Sequence, residues 1–244
     1  GLSQVQASLG NFPWSIELLL EEYELHKAGK KRLAEVVVGF NDVEEPVEEV
    51  PAAEEVADAA EDADDDEESG DDAAEEAAPT GPDPEEVARR MQVLADGYAK
   101  FKKSHAKNGP DNKAVAKLRA ELAETFVTLK LPLPLTDTLV RKLREVMAQI
   151  KDHERRVLHL CANVAKMPRK EFLRAWEGNQ TNLGWVDEVL KRKQKWSSGL
   201  RDVKDQIVAE QEATIAVEQA MHLTLADIKD ISRAMAYGEA KARK

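Results

Sequence analysis

The chain has 244 residues, of which 34% are charged and 5% aromatic, with a single cysteine and a formal net charge of −12. The length suffices to bury a sizeable core, as one large domain or two small ones; one cysteine excludes an internal disulfide and a cysteine-rich metal cage, and runs such as Val36-Val37-Val38 fall far short of the ~18 apolar residues of a membrane span. The charge is unevenly laid: 22 of the 47 acids fall between Asp42 and Glu86, where there is no Lys or Arg, and the other 199 residues carry a net +10, a basic body with an acidic strip set into it that does not exclude nucleic-acid neighbours.

In chain order, Leu2, Val5 and Leu9 form a short helical stripe. Pro13 then suits a helix start, followed by Ile16, Leu19, Leu20 and Tyr23 at helical spacing and by Gly29 as terminator. Arg32 to Phe40 fits a helix face through Leu33, Val36, Val37 and Phe40; Val36-Val37-Val38 would suit a strand, but no partner strand stands nearby, so helix is expected. Residues 42–82 are mostly Glu, Asp, Ala and Pro, without an aromatic. Their charges repel and too little apolar surface offsets the entropy of ordering, so this insert is expected to be disordered.

The body resumes at Asp83, a cap, with Pro84 at the first helical position and Glu86 three residues after the cap. Val87, Met91, Leu94, Tyr98, Phe101 and His105 then form one stripe on a long helix that Asn108-Gly109-Pro110 breaks. A second helix carries Val115, Leu118, Leu122, Phe126 and Leu129. The alternating Leu131-Pro132-Leu133-Pro134-Leu135 is expected to be non-helical, since each proline biases its predecessor to extended backbone. Thr136 is expected to cap a long helix buried through Leu139, Leu143, Val146, Ile150, Val157, Cys161 and Val164. Short helices are predicted around Phe172 and Trp176 and around Trp185 to Leu190, with Gly178-Asn179-Gln180-Thr181-Asn182 as a turn. Trp196-Ser197-Ser198 is expected to cap a longer helix through Leu200, Val203, Ile207 and Val208. Thr224-Leu225-Ala226-Asp227 resembles a capping box before Ile228, Ile231 and Met235. The fold class expected is all-α, an irregular multi-helix domain of seven to nine helices with a long disordered acidic insertion.

Catalytic signals are sparse. The five histidines show no ligand pattern: His153 and His159 are six apart, so they face different directions on a helix, and a zinc site needs three or four converging ligands. Cys161 reads as a small buried hydrophobe. There is no phosphate-cradling Gly-rich loop, Gly-x-Ser-x-Gly elbow or His-Glu-x-x-His, so no enzyme, no cofactor and no small-molecule substrate are expected. The four tryptophans, Trp14, Trp176, Trp185 and Trp196, read as core packing rather than base-stacking platforms. Residues 87–170 hold 19 bases against 8 acids, and Lys191-Arg192-Lys193-Gln194-Lys195 adds a cluster. Such faces neutralise phosphates, although solvated lysine and arginine stems also serve simply to cover apolar surface.

Gly1-Leu2-Ser3-Gln4-Val5-Gln6, Leu33-Ala34-Glu35-Val36-Val37-Val38-Gly39-Phe40 and the acidic tract after them resemble the primary (housekeeping) sigma factors of bacterial RNA polymerase, the sigma-70 family. The likeness continues through Leu160-Cys161, Lys166-Met167-Pro168-Arg169-Lys170-Glu171-Phe172, Gly178-Asn179-Gln180-Thr181 and Leu223 to Ile231. Gly238-Glu239-Ala240-Lys241-Ala242-Arg243 looks like the opening of the family's second conserved region. The section matched is the non-conserved, or non-essential, region. The resemblance implies a cytoplasmic, non-catalytic section of a transcription-initiation subunit, with core RNA polymerase as partner through its largest catalytic-side subunit, and an influence on promoter escape. No position matches the family's base-reading residues, so promoter DNA is expected to be reached through the parent protein, weakly or not at all by this chain.

The expected organisation is N-terminal helices over 1–41, the acidic insert over 42–82, a helical body over 83–236 and the start of the core-binding region over 237–244. The start at Gly1 rather than Met, and an end in helix-forming sequence without a stop signal, suggest a piece of a longer protein. The cations expected to face polymerase or DNA are Arg141, Arg144, Lys191, Arg192, Lys193, Lys195, Lys241 and Arg243. A rival reading is an acidic-tract chaperone or binding module for basic proteins, although such tracts are more often terminal.

Overall fold

The computed structural model describes residues 1–43 and 81–243. Its helices are α1 (Leu2–Gly10), α2 (Pro13–Lys27), α3 (Pro84–Asn108), α4 (Lys113–Val127), α5 (Leu133–Leu158), α6 (Arg169–Trp176), α7 (Trp185–Leu190), α8 (Ser197–Asp202), α9 (Lys204–Met221) and α10 (Leu225–Ala242). The expected all-α class holds, with ten helices among the described residues. The acidic insert lies, for residues 44–80, outside them.

Most predicted starts are physically realised. Asp83 accepts the Glu85 amide at 3.1 Å and Pro84 opens α3, and Val87, Met91, Leu94, Tyr98 and Phe101 are all buried along it. Glu86 does not close a capping box. Its carboxylate is taken instead by Arg89 and by Arg90, each at 2.6 Å. Asn112 caps α4 through the Ala114 amide, and Thr224 caps α10 through the Asp227 amide at 3.1 Å.

Four expectations are corrected. The segment 32–40 is not a helix: a single 3-10 turn covers Leu33–Glu35, and strand β1 (Gly39–Phe40) pairs antiparallel with β2 (Leu129–Lys130). The partner lies some ninety residues on, which is why local reading missed it, and Leu129 sits on that strand rather than at the end of α4. Asn41 fastens the pair, its side-chain amide donating to the carbonyls of Val127 and Leu129, each at 3.0 Å.

The Leu-Pro segment is helical in its second half. Pro132, not Thr136, is the N-cap of α5, and Pro134 stands in the first turn. Helix-opening amides have no intrahelical acceptor, so a proline there forfeits nothing. Thr136 is already inside, its amide and hydroxyl both donating to the Pro132 carbonyl.

Val164 is 50% exposed rather than buried. A π-helical turn over His159–Val164 succeeds α5, with the Ala165 amide reaching back five residues to the Leu160 carbonyl. The wider turn rotates its last residues off the apolar stripe. Finally, Trp196 gives no side-chain cap to α8; the Ser197 hydroxyl accepts the Gln194 amide at 2.9 Å and closes the preceding turn. The longer helix expected there breaks at Val203, so α8 and α9 are separate.

Two hydrophobic cores result. The first gathers α1 to α4, the N-terminal two thirds of α5, and α10, around Leu9, Phe12, Phe101, Phe126, Leu139 and Leu143. The second gathers Cys161, Phe172, Trp176, Trp185, Trp196 and Leu200. Helices α5 and α9 run through both: Ile150 and Met221 serve the first core, Val157 and Ile207 the second. Between them the packing is polar. His153 meets Glu210 at 2.5 Å, Lys229 meets Glu154 at 2.5 Å, and buried Gln211 donates to the carbonyls of Asn179 and Asn182 at 3.0 and 2.8 Å.

Helix α1 lies antiparallel along α10. Gly238 comes so close to α1 that a Cβ there would stand 3.0 Å from the Val5 nitrogen, and Gly1 lies against Ala242.

Candidate functional site

Among the described residues no group of three or more His, Cys, Asp or Glu converges to hold a metal, and no helix is long and apolar enough to cross a membrane. Cys161 is buried, and burial pushes its thiol up to about 12, so it is not poised as a nucleophile. Two tryptophans of the second core pack on one another and on Phe172: Trp176 and Trp185 meet edge-on at 4.8 Å, and the Trp185 indole donates to the Ala175 carbonyl at 2.7 Å. Trp14 is half-buried under Lys142, whose ammonium stands 5.3 Å from the ring. Core packing, as expected, accounts for the three buried tryptophans.

The candidate contact residues fall into two groups. Arg141 and Arg144 stand one turn apart on the exposed side of α5, and Arg144 binds Glu239 on α10 at 2.6 Å. That ion pair brings α5 beside the end of α10, where Lys241 in the last turn and Arg243 at the C-cap are exposed. Arg144 and Glu239 are exposed enough for water to screen them, so the pair contributes little stability.

The second group is 191–195. Lys191 caps α7, and the turn to α8 exposes Lys191, Arg192, Lys193 and Lys195. Among the described residues none of the four lies within salt-bridge distance of a carboxylate. A further stretch, not expected in the site from the sequence, carries Lys166, Arg169 and Lys170, all exposed and likewise without an acidic partner among the described residues. Gly199 on α8, four residues past Lys195, packs so near Ala165, the chain neighbour of Lys166, that a Cβ would lie 2.9 Å from its Cα. Three cations within Lys166 to Lys170 were the available signal, but the approach of α8 to Ala165 was not legible in it.

Elsewhere the strong ion pairs are structural. Arg90 donates to Asp42 at 2.7 Å and stands over the Phe40 ring at 4.2 Å. The hydrogen bonds from Arg89 and Arg90 hold the Glu86 carboxyl down to about 2. Arg119 donates to Asp227 at 2.9 Å; burial opposes ionisation there, but this bond and the Thr224 cap bring the net shift below the usual carboxylate range.

Comparison with known proteins accords with this helical body. A protein-family profile described as "Sigma-70, non-essential region" matches residues 12–218. The RNA polymerase sigma factor RpoD of Neisseria gonorrhoeae is 24% identical over 121 residues, covering 50% of this chain and 19% of that protein. The chain thus spans about a fifth of the length of that curated relative. With the match running from α2 to α9, the chain belongs to the sigma-70 family and comprises its non-essential region.

Proposed function

We propose that this chain acts in promoter-directed transcription initiation as part of a primary sigma factor, a subunit of RNA polymerase. It performs no catalysis itself. Its helices form a scaffold that contacts core polymerase, through the largest catalytic-side subunit, and influences promoter escape. The observation that carries the reading is the family match over 12–218, on a body whose last helix, α10, continues unbroken to Ala242. On this reading residues 237–244 open the core-binding region, and Arg141, Arg144, Lys241 and Arg243 form the face turned toward polymerase. Water screens these exposed cations in the free protein, and they gain strength only when docking excludes it.

The reading is tested by capture of purified core polymerase on the immobilised chain, with abortive and full-length transcripts measured in holoenzyme carrying the same substitutions. The expected result is capture, weakened several-fold by R141A together with K241A, with the ratio of abortive to full-length transcripts altered. Retention of basic proteins in general, with no preference for polymerase, would support the acidic-tract binding module instead.

A further inference from the structure

We infer that the basic knuckle formed by Lys166, Arg169 and Lys170 with Lys191, Arg192, Lys193 and Lys195 binds the phosphate backbone of duplex DNA. The inference rests on the proposed role in initiation and adds a partner for a surface separate from the α5–α10 face.

Charge and backbone geometry carry it. Within each of the two five-residue stretches, 166–170 and 191–195, there is no acid. The seven cations are exposed, with no carboxylate partner among the described residues, and the packing of Gly199 against Ala165 brings the chain just past Lys195 to the chain just before Lys166. Nearby Asp187 is neutralised by Lys204 at 2.7 Å; Glu171, Glu188 and Asp202 are the other acids on the flanking helices, fewer than the cations beside them.

Two of these lysines occupy backbone that lysine disfavours. Among the described residues only three non-glycine residues have positive φ, and Lys166 at 61° and Lys193 at 48° are two of them. Lys166 directly follows the cap of the π turn and Lys193 lies in the turn after α7, both in left-handed backbone that favours glycine because a Cβ is strained there. Their conformations are locked locally: the Lys193 amide donates to the Leu190 carbonyl at 3.2 Å, and the Met167 amide to the Cys161 carbonyl at 2.9 Å. Glycine would serve both turns better, so folding gives no reason for lysine at either. Contact with a polyanion does, because both lysines are exposed cations without a carboxylate partner among the described residues. Seven exposed cations on two turns, without a base-reading helix, suit sequence-independent phosphate contact.

The geometry makes the test unusually clean, because glycine removes charge and strain together. Binding of the 244-residue chain to a fluorescein-labelled, mixed-sequence DNA duplex is measured by anisotropy from about 50 to about 200 mM salt. For K166G/K193G the melting temperature is expected to hold or rise, while the slope of log affinity on log salt shrinks by about 0.9 per lost phosphate contact. Capture of core polymerase by the same variant is expected to stay unchanged. A control, K100A/K103A, removes two exposed cations of α3 and is expected to leave the slope as in the parent. An unaltered slope in K166G/K193G, an equal loss in the control, or no binding by the parent at the lowest salt would each overturn the inference. Loss of polymerase capture with DNA binding intact would overturn it too, assigning the knuckle to an acidic surface of polymerase. Failure of the initiation reading shows separately, as absence of capture by the parent chain.

Discussion

His222 turns the corner between α9 and α10 in left-handed backbone, at φ 54°, and its ring meets His105 edge-on at 5.0 Å with Phe101 beside both. Among the described residues neither the buried His105 Nε2 nor the buried His222 Nδ1 has a hydrogen-bond partner. Burial lowers both pKa values, and for His222 the His105 ring and Lys102 push the same way, while Glu17 on α2 opposes. A base that holds its proton more weakly folded than unfolded leaves stability intact above its ordinary value, here 6.5, and loses it as pH falls below that. Thermal melts between pH 7.5 and about 5.5 are expected to show a falling midpoint, and H222N, which tolerates the left-handed turn, should flatten that fall. Parallel pH curves for parent and variant would refute it. The pair was invisible in the sequence because its members lie 117 residues apart; only the spacing that put His105 on the apolar stripe of α3 hinted at burial.

Among the elements, those closed by local chemistry were legible and those closed at a distance were not. Asp83-Pro84 and Thr224 announce α3 and α10 because cap and stripe lie within one or two turns of each other. The β1–β2 ladder escaped because its two short strands have no local signature and Leu129 obeys the helical spacing of α4. The π turn escaped because a wider turn changes no residue type; Cys161 and Val164 fit the stripe on paper, yet Cys161 is fully buried and Val164 half-exposed. That difference has a direct readout. V164S is expected to shift stability by no more than about 0.5 kcal/mol, whereas replacing Cys161 with Lys should cost several kcal/mol by burying an unpaired charge. Chemical denaturation measures both, and equal costs would mean that the stripe continues through Val164 after all. For the contact residues, the 191–195 cluster was legible as a run of charge, but the packing of Gly199 on α8 against Ala165 was not.

At the scale of the whole molecule, two apolar cores share two through-running helices but meet across polar contacts. Hydrogen bonds fix geometry there, while burial of apolar surface, the larger source of stability, is confined to each side. The second core should therefore open more readily than the first. Gln211 is the test residue, because it holds the carbonyls of Asn179 and Asn182. Q211A is expected to cost about 1–3 kcal/mol by leaving buried carbonyls unbonded, and to quicken amide hydrogen exchange in α6 to α8 while α1 to α4 keep their protection. Uniform acceleration throughout would show instead that the two cores unfold as one.

The antiparallel lie of α1 on α10 sets Gly1 against Ala242. A polypeptide entering through the first residue and leaving through the last would come in and go out at a single place. Topologically the body is then closed on itself, with its two ends at one root. A force drawing Gly1 and Ala242 apart would load the seam between α1 and α10 before it reached the second core.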